Sequence, residues 1–167
     1  RSVGFVENAF HFWFSGDKEV IRKDLPAEVY NQVASTGEYF VGLHTIFKYL
    51  MTKVNNDPAI FLGWDKVRAQ KEIHGIRKVS ARDKERAMLM IRFYQLLHKK
   101  YNPEHVELLK DLETNYVFDP SQVKALKRSL KMRNYQRSLT IILDFLEILK
   151  EKILSPNKTE YFENIYH

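Results

Sequence analysis

The chain has no cysteine among its 167 residues. That excludes a disulfide framework, a thiolate nucleophile and every zinc site that needs sulfur, and it fits a reducing, intracellular setting in cytoplasm or nucleus. No apolar run approaches the roughly 18 to 20 residues that a membrane-spanning helix needs, and no charged-then-apolar leader precedes a small-residue cleavage site. The first residue is Arg1 rather than Met, which points to a piece of a larger polypeptide or assembly. A phosphate loop, a Gly-x-Ser-x-Gly elbow and a dinucleotide fingerprint are all missing. So are His-Glu-x-x-His and the Glu-x-x-His pairs of helical carboxylate bundles, so neither a metal nor a cofactor is expected.

Glycine is scarce at six, alternating apolar and polar runs are rare, and spacings of three and four recur throughout. The expected fold is therefore all-α, a single bundle-like domain of about six to eight helices over 1–157. A tail, 158–167, is placed to dock Tyr161, Phe162, Ile165 and Tyr166 onto it. Hydrophobic residues make up 44% of the chain and aromatics 13%, so the core should be rich in rings. The run Phe10, Phe12, Trp13, Phe14 is apolar on several sides of its helix, as in a helix buried all round. Ser2 and Asp17 are caps for the first two helices, and Gly37 is placed just after the end of the third. Phe40, Leu43, Ile46, Phe47, Leu50 and Val54 form the next buried stripe. Asn55-Asn56-Asp57-Pro58 reads as a turn, and Ser80 as the cap of a long helix with Ala87, Met90, Ile91, Tyr94, Leu97 and His98 on one side. Asn102-Pro103 and Asp119-Pro120 punctuate the remainder.

The net charge is +6, and two blocks hold the excess. Residues 65–100 carry eleven cations and four acids, and 120–143 carry six cations and no acid. Blockwise imbalance of this kind suggests a basic face toward an anionic partner. In the second block, a helical projection puts Lys124, Lys127, Arg128, Lys131 and Tyr135 on one stripe beside a buried stripe of Val123, Leu126 and Leu130. Continued straight, the helix would turn Arg133 and Arg137 inward, where an unpaired charge is costly. The next apolar set, Leu139, Ile142, Leu143, Leu146 and Leu149, is half a turn out of register. A break is therefore expected near Met132, Arg133 and Asn134, with Asn134 in the left-handed conformation.

Lys124, Lys127, Arg128, Lys131, Arg133 and Arg137 then gather at one corner suited to phosphates, with Tyr135 offering a ring to a base. Nucleic acid is the expected partner. Alternatives are an acidic protein surface met by an interaction module, and the plain solvated face of an amphipathic helix. A secondary basic patch is read at Arg77, Lys78, Arg82 and Arg86, around a helix start that offers unpaired amides, although Asp83 and Glu85 can neutralise part of it. Residues 121–146 also have the outline of a helix-turn-helix, with a glycine-free turn and a second helix that is apolar nearly all round.

Little in the chain suggests catalysis. Arg68 with His74, and Arg92 with His98, match the loose arginine-to-histidine spacing of HEPN-type ribonucleases, which the chain resembles there and nowhere else; the resemblance implies a helical ribonuclease. Ala69 and Phe93 stand where that family commonly has a polar residue. His44 and His98 border apolar stripes and read as core histidines.

Overall fold

The computed structural model describes residues 2–22, 25–39, 41–98, 103–116 and 118–154. Among these the fold is all-α, as expected from the three- and four-residue spacings, and no strand occurs. Among the described residues nine α-helices follow one another: α1 (Ser2–Ser15), α2 (Glu19–Arg22), α3 (Ala27–Tyr39), α4 (Val41–Lys53), α5 (Lys66–His74), α6 (Ala81–His98), α7 (Pro103–Thr114), α8 (Pro120–Lys131) and α9 (Tyr135–Leu154). A 3₁₀ segment, Pro58–Gly63, lies between α4 and α5. The count exceeds the expected six to eight because α2 is a single turn. The C-terminal tail 158–167, with its expected docking, lies outside the described residues.

Short polar side chains set most of the boundaries. Asp17 accepts from the Glu19 amide at 3.0 Å ahead of α2. Asn55 and Asn56 both adopt positive φ, at 53° and 62°, a conformation asparagine tolerates better than most residues. Asp57 then caps the 3₁₀ segment through the Ala59 amide. Asp65 caps α5 through the amide of Arg68 at 2.7 Å, so the stretch 59–78 is two elements rather than one. Ser80 caps α6 by accepting from the Asp83 amide at 3.2 Å, and its hydroxyl donates to the Asp83 carboxylate at 3.0 Å.

The core is continuous from α1 to α9. Phe10, Phe12, Trp13 and Phe14 are all fully buried, as the all-round apolar character of that run predicts. Phe10 meets Trp13 and Tyr94 edge-on at 5.5 and 5.4 Å, and Phe14 lies 4.6 Å from Phe47 and 5.3 Å from Phe61 between ring centres. Helix α6 is central: it is buried on every side from Glu85 to Leu97 except at Met88, rather than along one stripe.

Gly37 lies inside α3, not beyond its end. A Cβ there would run into the Phe12 ring, so packing rather than helix termination demands the glycine. Gly42 plays the same part at the start of α4, where a Cβ would collide with the Asp83 carboxylate of α6.

Candidate functional site

Helix α8 begins at Pro120 behind Asp119, whose carboxylate accepts from the Ser121 amide at 3.0 Å. Its inner face is Val123, Leu126 and Ser129, with Leu130 half-buried, while Lys124, Lys127, Arg128 and Lys131 are exposed, as the projection requires. The helix breaks where the apolar register slips. The Arg133 amide donates to Leu130 O at 3.1 Å and the Asn134 amide to Ser129 O at 2.9 Å, the paired bonds that satisfy orphan carbonyls at a helix end.

The left-handed residue is Arg133, with φ 55°, not Asn134 as expected. Asn134 is used one step later, where its side chain accepts from the Arg137 amide at 3.1 Å and caps α9. Capping is worth about 1 kcal/mol to a residue of this type, so the asparagine serves the new helix while the arginine bears the strained dihedral. The corner is closed inside by Ser129 and Ser138, whose hydroxyl oxygens are buried 2.7 Å apart and tie back to Leu126 O and Asn134 O.

Arg133 and Arg137 are thereby exposed along with the cations of α8. Among the described residues no ion pair joins Lys124, Lys127, Arg128, Arg133 or Arg137 to a carboxylate. The nearest acids downstream are engaged elsewhere: Asp144 accepts from Gln32 at 3.2 Å and Glu147 from Thr36 at 3.1 Å, both on α3. Tyr135 is half-buried and packs against the core, so it is less available for stacking than the sequence suggested. The exposed apolar side chain at the corner is Met132, at 74% exposure, which sequence reasoning treated only as part of the break. Beyond Arg137, α9 buries Ser138, Leu139, Ile141, Ile142 and Leu143, so the part of α9 that would follow the turn of a helix-turn-helix is largely committed to the core.

The secondary patch is smaller than read. Arg77 and Lys78 are exposed, Lys78 at φ 65°, and Arg82 is half-buried. Arg86 is only 8% exposed and donates to Asp83 at 2.5 Å. It belongs to the Ser80–Asp83–Arg86 node packed over Gly42 and not to an outward face.

The arginine–histidine pairs also have structural occupations. The Arg68 guanidinium sits over the Trp64 ring at 5.0 Å. Arg92 is buried and donates to Gln95 at 3.1 Å, and the Gln95 amide in turn holds the carbonyls of Phe61 and Trp64 at 2.6 and 2.7 Å. The His98 ring lies 4.5 Å from Tyr94. His44 meets Phe12 edge-on at 5.6 Å, and burial, then Lys48, lowers its pKa.

Sequence reasoning missed a second site altogether. A cavity of about 290 Å³ lies between α5, α6 and α7. Lys66 and His74 line it from α5, Glu85 and Arg92 from α6, and Glu107 and Asp111 from α7. Lys66 and Asp111 pair at 3.5 Å, while burial, then Lys84, lowers the pKa of His74. Glu85 is 2% exposed; Tyr116 donates to its Oε1, and its Oε2 has no hydrogen-bond partner among the described residues. Burial pushes its pKa up to about 7, against the opposing pull of the Tyr116 bond. The only sequence signal was an i, i+4 polar stripe on each of α5 and α7, which resembles any solvated face.

Among the described residues no group of three or more metal-ligating side chains is gathered, and no helix is long and apolar enough to cross a membrane. No protein family, curated protein or solved structure matches the chain.

Proposed function

We propose that the protein binds nucleic acid through the α8–α9 corner, with Lys124, Lys127, Arg128, Lys131, Arg133 and Arg137 holding backbone phosphates. The observation that carries this reading is the exposure of these cations on one helix and the turn after it, five of them without an ion pair among the described residues. Exposed, unneutralised cations are what counterion release rewards: each phosphate contact frees condensed ions from the polymer. Arg133 adds support, because a non-glycine residue held at positive φ costs roughly 1–3 kcal/mol and such strain gathers at functional sites. Met132 supplies an apolar surface beside the phosphates. The reading suits a non-catalytic intracellular binding domain.

The test is fluorescence anisotropy with labelled single-stranded and duplex oligonucleotides across a salt series. Four to six phosphate contacts predict a log–log slope of about −3 to −5. Replacing Lys127, Arg128 and Lys131 by Glu should flatten that slope by about 3. Absence of binding at low salt, or a slope unmoved by the triple variant, overturns the reading; retention of an acidic peptide in place of oligonucleotides makes the corner a protein-docking surface instead.

A further inference from the structure

We propose that the cavity between α5, α6 and α7 is a binding site for a small organic amine, a mono- or diamine, with Glu85 as its anionic anchor. The site is independent of the basic corner and its ligand is of opposite charge. Glu85 lines the cavity, is almost wholly buried, and keeps an oxygen for which no donor stands among the described residues. Buried polar atoms in folded proteins nearly always have a partner, and one that lacks it points to a missing ligand or water.

The charges around Glu85 indicate what that partner is. On α5, Lys66 is committed to Asp111 of α7 at 3.5 Å, and burial, then Lys84, lowers the pKa of His74 and so disfavours its cationic form. On α6 itself, Arg92 donates to Gln95. Tyr116 offers a neutral hydroxyl, and Glu107 adds a second carboxylate that forms no ion pair among the described residues. Burial raises the proton affinity of Glu85 and the Tyr116 bond opposes it, while its Oε2 has no donor among the described residues. The missing component is therefore a positive donor. A guanidinium binds a carboxylate best through both oxygens, but Tyr116 already occupies Oε1. One open oxygen suits the compact point charge of an ammonium. The volume, about 290 Å³, is at the lower end of small-molecule pockets, which run from about 300 Å³ upward, and favours a short aliphatic amine over a nucleotide. A diamine anchored on Glu85 has Glu107 as the acceptor for its second end.

Isothermal titration calorimetry of the whole chain with 1,4-diaminobutane tests this. Binding should strengthen about tenfold from pH 6 to pH 8 as Glu85 gives up its proton while the amine stays charged, with protons released in the lower half of that range. Glu85→Gln should weaken binding at least tenfold, and Glu107→Gln should weaken the diamine more than 1-aminobutane. Asn115→Trp, a substitution at an exposed position of the cavity wall, should block both ligands without touching a buried carboxyl. Butylguanidine, which has a guanidinium and no amine, should bind no more tightly than 1-aminobutane. No heat of binding at millimolar diamine, equal affinity in the Glu85→Gln and parent proteins, or binding that survives Asn115→Trp overturns the proposal.

Discussion

The two basic blocks carry nearly the same excess of positive charge and use it in opposite ways. In residues 65–100 five of the described cations have partners within the fold, Lys66 on Asp111, Arg68 over Trp64, Lys84 on the His74 carbonyl, Arg86 on Asp83 and Arg92 on Gln95, while Lys71, Arg77 and Lys78 are exposed. In residues 120–143 they face solvent; the acid just before the block, Asp119, caps α8, and the nearest ones after it, Asp144 and Glu147, are turned toward α3. The difference comes from acceptors rather than from the cations. The first block has a carboxylate three positions before Arg86 and backbone carbonyls opened by the 3₁₀ segment and the α5 terminus. The second has no acid for twenty-four positions. Left unpaired, Arg86 or Arg92 of the first block would be a buried charge at a cost of several kcal/mol; an exposed cation of the second is simply hydrated.

The largest test of this contrast is charge reversal. Converting Lys127, Arg128 and Lys131 to Glu should lower oligonucleotide affinity on the order of a thousandfold at low salt, whereas Arg77→Glu with Lys78→Glu should lower it several-fold at most. The next largest concerns the buried carboxyl of the first block. Glu85 has its pKa raised from an ordinary 4.5 to about 7, so the folded state holds this proton more tightly than the unfolded chain. The stability it contributes is complete below about pH 4.5 and is lost as pH rises through about 7, a change of roughly 3 kcal/mol. Urea denaturation at pH 5 and pH 8 should show that fall in the parent protein and a flatter profile in Glu85→Gln.

A smaller effect separates the arginines. Arg86→Ala should cost about 2 kcal/mol of stability by removing the cation paired with the largely buried Asp83, which keeps only its bond from Ser80 among the described residues, and leave heparin retention unchanged; Arg128→Ala should do the reverse, with stability within about 0.5 kcal/mol of the parent. The smallest sharpens the corner itself. Arg133→Gly removes the positive-φ strain, so the protein should gain up to about 1 kcal/mol in denaturation while its salt slope falls by about 1.

The helical architecture was legible because it depends on period and caps, both of which are local. Asp17, Ser80 and the Asp57-Pro58 and Asp119-Pro120 pairs stand where helix starts need acceptors, although Asp65 was passed over as the cap of α5, and the half-turn slip between Leu130 and Leu139 located the α8–α9 break. What was not legible is pairwise and long-range. Gly37 resembles a helix stop until the Phe12 ring packs against it, and Arg86 resembles a surface cation until Gly42 lets Asp83 approach. The left-handed position passed from Asn134 to Arg133 because the asparagine had a competing use as a cap. Glu85 gave no sign at all, since its burial depends on α5 and α7 closing over a face of α6 whose sequence is ordinary.

The buried pair of serine hydroxyls beneath the corner has a kinetic consequence. With Ser129 and Ser138 holding the two helix ends together before any encounter, an arriving polyanion finds its backbone scaffold already set and has only side-chain rotamers to order. Capture should then run at a rate governed by long-range attraction, faster in dilute buffer and slower in concentrated buffer. Ser138→Ala would leave Ser129 its bond to Leu126 O but remove the contact between the two helix ends, loosening that bracket, and would appear first as slower arrival rather than quicker departure.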